Sequence, residues 1–352
     1  MRASFAVALA AAAALVASAT AQPTHAPVND AALMAERAAP TLAEYNLFLD
    51  AGARRPNERL TAYSLNTQLY SDGALKFRYV YIPAGAQAQY NAEGVFDFPV
   101  GTVLIKTFAF AEDMRAPHEN VRFLETRLLI RQQDGWVARP YVWNEDETEA
   151  RYAPIGADVP VSFTDEEGQA IALDWAVPNV NQCAGCHASD GEVVPIGPSA
   201  RNLNRDAQLA AWRDAGVLGD APSDAPRAPD ASNPEDGTLE QRARAYLDVN
   251  CAHCHNPSGP AHTSGLDLSW TQTEPVQWGV YKRPVAAGRG SAGMNFSIEP
   301  GHPERSILVH RMESTDPGVM MPELGRTLVD ARAVALMRDW IADMDETGRA
   351  AN

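Results

Sequence analysis

Cysteine is scarce in this chain, with four residues in 352, and all four fall in two copies of one pentapeptide. These are Cys183-Ala-Gly-Cys186-His187 and Cys251-Ala-His-Cys254-His255, so no thiol is left over for a disulfide framework. Basic residues are also in short supply: 29 Lys and Arg stand against 45 Asp and Glu, a formal net charge of −16. That balance argues against nucleic acid or an anionic membrane as partner and favours a redox partner with a basic docking patch. After the first sixteen residues no long apolar run remains. The mature chain is therefore expected to have no stable membrane insertion.

Cys-X-X-Cys-His is the attachment pattern of a covalently bound c-type haem. Two thiols add across the vinyl groups of one porphyrin, and the adjacent imidazole reaches the iron as proximal ligand. Two intervening residues put both sulfurs on one edge of a helical turn, with the following His pointing under the ring. A redox dithiol would want a βαβ context, and a zinc site a second ligand pair at finger spacing. One all-thiolate zinc site made from all four cysteines leaves both histidines unexplained. Two covalently bound haem c groups are therefore expected. One is attached at Cys183 and Cys186 with His187 as iron ligand, the other at Cys251 and Cys254 with His255.

Arg2, the apolar run Ala3 to Val16 and the small residues Ala19-Thr20-Ala21 make up a secretory signal peptide over 1–21. Export to the periplasm follows, with Gln22 as the first mature residue. Residues 22–73 read as helical or irregular, with Leu42, Tyr45, Leu47 and Phe48 about one face. Residues 74–176 carry alternating β-branched and aromatic runs, including two runs joined by Asp134-Gly135, a strong hairpin signal. They are read as an antiparallel β-sandwich. A first haem-binding segment occupies 177–218, and 219–237, built mostly of Gly, Asp, Ala, Pro, Ser, Glu and Asn, reads as an exposed linker. In 238–348, Thr238-Leu-Glu-Gln241 fits a capping box that opens a helix into the second motif. Val329, Ala333, Leu336, Met337, Trp340, Ile341 and Met344 form an amphipathic terminal helix.

Near the end stands Met320-Met321-Pro322. Helices at both ends, a haem motif on the first and a late Met-Pro resemble a class I cytochrome c domain. By that resemblance Met321 is the distal iron ligand of the second haem, with Met320 in reserve. A thioether favours ferrous iron and raises the potential. Between His187 and Asn250 there is neither His nor Met. The first haem then has an open position or a ligand from Met294, His262, His302, His310 or His118.

The chain as a whole resembles the secreted bacterial di-haem c-type cytochromes of conserved hypothetical type. The resemblance rests on Phe98-Pro-Val-Gly-Thr102, Tyr141-Val-Trp-Asn144, Pro195-Ile-Gly-Pro198, Pro300-Gly-His-Pro303 and Met321-Pro-Glu-Leu-Gly325 as well as the two haem motifs. It implies electron transfer and no settled substrate. A weaker similarity links the Phe-Pro-Val-Gly-Thr run to the β-sandwich of the cytochrome P460 type, at the level of fold alone. The fold class expected is α+β and multidomain, an N-terminal antiparallel β-sandwich followed by an all-α cytochrome c-like haem region. No catalytic residue is assigned. The alternative function is a di-haem peroxidase-like oxidoreductase whose first haem is open. Two haems per chain are expected in a pyridine haemochrome assay, falling to one in Cys183→Ala and to one in Cys251→Ala; one haem in the wild type would remove the first site.

Overall fold

The computed structural model describes residues 26–285 and 287–350. The expected signal peptide, 1–21, lies outside the described residues. Six strands form one antiparallel sheet in chain order. They are β1 (Leu60–Ala62), β2 (Leu75–Tyr81), β3 (Val103–Ala111), β4 (Val121–Gln132), β5 (Gly135–Trp143) and β6 (Ala150–Tyr152). Alternation decides which side chains go to which face, and both faces are covered. Val103, Ile105, Leu128, Ile130 and Tyr141 on one face pack against Leu33, Leu42, Tyr45 and Leu47 of the N-terminal segment. That segment holds the short helix α1 (Asp30–Met34) and a 3₁₀ turn at Leu42–Tyr45. Its buried Tyr45 Oη lies 2.7 Å from Tyr141 Oη and accepts a hydrogen bond from Arg139 at 2.9 Å.

The opposite face carries two separate apolar clusters. At one end Val80, Leu104 and Leu129 meet Leu203 and Trp212. These two come from α3 (Ala200–Leu203) and α4 (Gln208–Asp214), which follow the first motif helix α2 (Val180–Cys186). At the other end Phe108 and Leu124 meet Val161 and Trp175 of a separate hairpin, β7 (Ala157–Thr164) with β8 (Ala170–Val177). Arg78, Lys106 and Arg127 are cross-strand neighbours on β2, β3 and β4.

The expected fold class is overturned on both counts. The β region is a six-stranded sheet with a detached two-stranded hairpin, because the second cover of the sheet is built from short helices and loops rather than from a second full sheet. The region after it is not all-α. α5 (Leu239–Asn250) and α8 (Ala331–Ala342) do form and pack together through Ala243, Leu247, Leu336, Met337 and Trp340. Between them, among the described residues, only α6 (Pro275–Trp278) and α7 (Ile307–Glu313) are α-helical. The remainder is turns and 3₁₀ pieces, since Gly259, Pro260, Gly265, Pro284, Gly288, Gly290, Gly293, Pro300 and Gly301 interrupt any helical run.

Most of residues 219–237 are exposed, and the segment is tied to the fold near its middle. Ala228 and Ala231 are buried, Thr67 Oγ1 donates to the Pro229 carbonyl at 2.8 Å, and the Ala231 N–H donates back to Thr67 Oγ1 at 3.0 Å. Among the described residues no helix is long and apolar enough to cross a membrane.

One carboxylate ties the sheet region to the C-terminal region. Asp72 is buried and accepts from the Thr327 and Leu328 N–H groups, both at 2.7 Å, and from Thr327 Oγ1 at 2.8 Å. Its φ is +51°, which Asn tolerates better than Ala. Asp72→Ala should cost about 3 kcal/mol in urea denaturation and Asp72→Asn about 1 kcal/mol, because the amide keeps an acceptor and the backbone conformation; equal losses would show that the carboxylate is not what joins the two regions.

Candidate functional site

The first motif is carried by α2, which opens on a reciprocal cap: Gln182 N–H donates to Asn179 Oδ1 and Asn179 N–H donates to Gln182 Oε1, both at 2.9 Å. Cys183 and Cys186 are three apart on this helix and so share a face. His187 closes it, its N–H bonded to the Cys183 carbonyl at 3.0 Å. A two-residue ribbon, β9 (Ala188–Ser189) with β10 (Glu192–Val193), then turns the chain back. Val194 arrives with its carbonyl 2.6 Å from His187 Nδ1. A carbonyl only accepts, so Nδ1 carries the proton and Nε2 keeps its lone pair. Burial first, then the charge of Lys106, pushes His187 down to about 3, so the ring is neutral at physiological pH.

The second motif repeats this arrangement with different means. Thr238 and Gln241 cap α5 reciprocally, and the Cys251 N–H continues onto the Leu247 carbonyl at 2.9 Å. His255 Nδ1 lies 3.0 Å from Ser264 Oγ, and that hydroxyl donates its own proton to the Ala261 carbonyl at 2.7 Å. Nδ1 is therefore the donor here too, and Nε2 is again free. Gly259 permits the tight loop: a Cβ there would stand 2.4 Å from the Cys254 carbonyl oxygen.

No cysteine is in a disulfide. Burial pushes the Cys251 thiol up to about 12 and Cys254 to about 11, and raises Cys183 and Cys186 as well. An activated redox dithiol shows the opposite shift. Among the described residues no group of three or more His, Cys, Asp or Glu side chains is placed to share a metal ion, so the four thiols do not converge on a zinc site.

The two motifs are neighbours. The Asp190 N–H beside the first donates to the Ser258 carbonyl beside the second at 2.9 Å. The Cys186 thiol is among the groups acting on Cys254, and His253 among those acting on His187. The loop with Met320 and Met321 is tied to α7. Met321 N–H donates to the Arg311 carbonyl at 3.0 Å, Arg311 acts on His255, and Glu323 acts on Cys254. Met320 is buried and Met321 half-buried.

A cavity of about 60 Å³ adjoins the first motif, with Cys183 and His187 on one side and Arg78, Lys106 and Arg127 on the other. None of Met294, His262, His302, His310 and His118 lines it. Reading the sequence takes Lys106 as a strand residue that supports no acid–base role, and misses Arg78, Arg127 and His253. His253 Nδ1 is buried without a well-formed hydrogen bond, the Val249 carbonyl offering it only a weaker one. Its signal was its place between Cys251 and Cys254, where any residue satisfies the motif. Lys106 gave a weaker signal, a cation inside an otherwise apolar strand. Comparison with known protein families, with curated proteins and with solved structures finds no match for this chain.

The thiol shifts are testable on chain produced without cofactor. With pKa values near 11 and 12, the thiolate fraction of Cys254 and Cys251 at pH 8 lies far below that of an ordinary cysteine. Both should react with a thiol reagent more than tenfold more slowly than free cysteine, accelerating only above about pH 10; rapid reaction at pH 7 would favour dithiol chemistry instead.

Proposed function

We propose that this chain is a periplasmic di-haem c-type electron-transfer protein, similar to the secreted bacterial di-haem cytochromes its motifs resemble. Two haem c groups would be held by Cys183 and Cys186 with His187, and by Cys251 and Cys254 with His255. The observation that carries this reading is the shared state of the two imidazoles. Each has Nδ1 committed to a protein acceptor and Nε2 bare, beside neutral thiols in no disulfide. Iron-ligating histidines need that tautomer, and the acceptor on Nδ1 strengthens the ligand. The donor sets thus fit the group.

A bound haem c supplies one-electron exchange between ferric and ferrous iron. The chain's own part is to hold and orient. α2 and α5 present each pair of thiols at fixed spacing, while Val194 and Ser264 fix the ring rotation of His187 and His255. The Asp190–Ser258 bond keeps the two motif loops in register, as exchange between two centres requires. Met321 is the proposed distal ligand at the second motif. The acidic surface would suit a redox partner with a basic docking patch. A peroxidase-like alternative is favoured by one observation: apart from His187, the cavity at the first motif is lined by neither imidazole nor thioether, which suits an open iron position.

If Met321 is the distal ligand, Met321→Ala should abolish the weak near-infrared band of methionine-ligated ferric haem and lower the potential of one haem, while Met320→Ala does much less. Potentiometric titration and near-infrared absorption of both variants check this. A large drop in Met320→Ala alone would move the ligand by one residue, and no change in either would remove methionine ligation.

A further inference from the structure

Across the middle of the sheet face that meets the first motif, Arg78 pairs with Lys106 and Lys106 with Arg127, so three cations stand side by side on adjacent strands. One carboxylate, Glu125, is close, and it is taken. It holds Arg127 through two hydrogen bonds, at 2.5 and 2.8 Å, and accepts from Trp175 Nε1 at 3.2 Å. Arg78 reaches only neutral acceptors, the Lys76 carbonyl at 3.4 Å and Gln68 Oε1 at 3.3 Å. Among the described residues Lys106 Nζ makes no hydrogen bond or ion pair; its company is the Phe108 ring, 5.1 Å to the centroid.

Holding Arg78 and Lys106 beside Arg127 with no carboxylate of their own is unfavourable, and a chain with 45 acidic residues had carboxylates to spare. The cost registers on Lys106, which burial first, and then Arg127 and Arg78, push down to about 7. All three side chains line the cavity of about 60 Å³ whose far wall includes Cys183 and His187. On the same measure a single water needs about 10–15 Å³, so the space takes a few water-sized atoms, the size of a small anion.

We propose that Arg78, Lys106 and Arg127 form an anion site beside His187, which takes a carboxylate or a small oxyanion. Two guanidinium forks and an ammonium converging on one small cavity are the donors such a group needs. The carboxylate can come from the propionate edge of a haem attached at the first motif, in which case the inference rests on the function proposed above. A free small oxyanion can instead enter the cavity, and that case requires no haem.

The test uses the matured protein, its haem content counted separately by pyridine haemochrome. Wild type, Lys106→Met and Arg78→Gln are titrated with nitrite, formate and inorganic phosphate by calorimetry, and the potentials of both haems are measured. Saturable binding of one of these anions, weakened at least tenfold in both variants at unchanged haem content, assigns a free anion. No binding of any of the three, with the potential of one haem lowered in both variants and the other unmoved, assigns the haem's own carboxylates, because removing a nearby positive charge favours the oxidised state. No binding together with unmoved potentials overturns the site while leaving the cofactor reading intact. A haem count of zero with anion binding retained does the reverse. Should Lys106→Met fail to fold, Arg78→Gln carries the same readouts, and Lys106→Arg, which keeps the charge, should preserve wild-type behaviour.

Discussion

Backbone polar groups that leave water must find partners, and much of this chain has no helix or sheet ladder to provide them. Side chains of Asn, Asp, Thr and Arg take over. Asn202 donates to the Thr67 and Gly197 carbonyls, at 3.0 and 3.1 Å, and accepts from the Thr67 N–H at 2.8 Å. Asn250, one residue before the second motif, accepts from the Tyr70 N–H at 2.7 Å and donates to the Gln68 carbonyl at 3.2 Å. Arg326 donates to the carbonyls of Arg311, Met312, Ser314 and Met321. These contacts span long stretches of sequence and fix loops that have no regular structure of their own. The second motif is held by them: the loop from Gln68 to Asp72 is fixed at one end by Asn250 and at the other holds Thr327 and Leu328 through Asp72.

Legibility in the sequence followed the range of the interaction that decides each feature. The turn before Gly135, the reciprocal cap at Thr238 and the apolar stripe of α8 are set within a few residues and could be read directly, while the equally local cap at Asn179 was not read. What covers the sheet could not. β7 and β8 alternate as any half-buried hairpin does, and nothing local says that they stay detached from the six-stranded sheet. The Gly and Pro between Cys254 and Pro303 were visible, yet a short helix on either side was enough to suggest an all-α domain.

The site divides in the same way. The Cys and His of both motifs are adjacent in sequence and were legible, and so was the late Met-Pro. Val194 and Ser264, which set the histidine tautomers, are seven and nine residues from their partners across turns that no pattern announces. The Arg78, Lys106 and Arg127 row is a product of strand register. Each residue alone reads as a cation in a strand, and a slip of one residue in pairing would have sent it to the other face.

The pairing of Tyr45 with Tyr141 joins residues 96 apart in the chain. During synthesis Leu33, Leu42 and Leu47 emerge early, but the sheet face they seal is complete only once β5 has been made. Every contact that closes this face is non-local, a topology that folds slowly and leaves apolar surface uncovered in the meantime. The segment before β1 is thus among the last to be buried, and its leucines stay uncovered until β5 has been made.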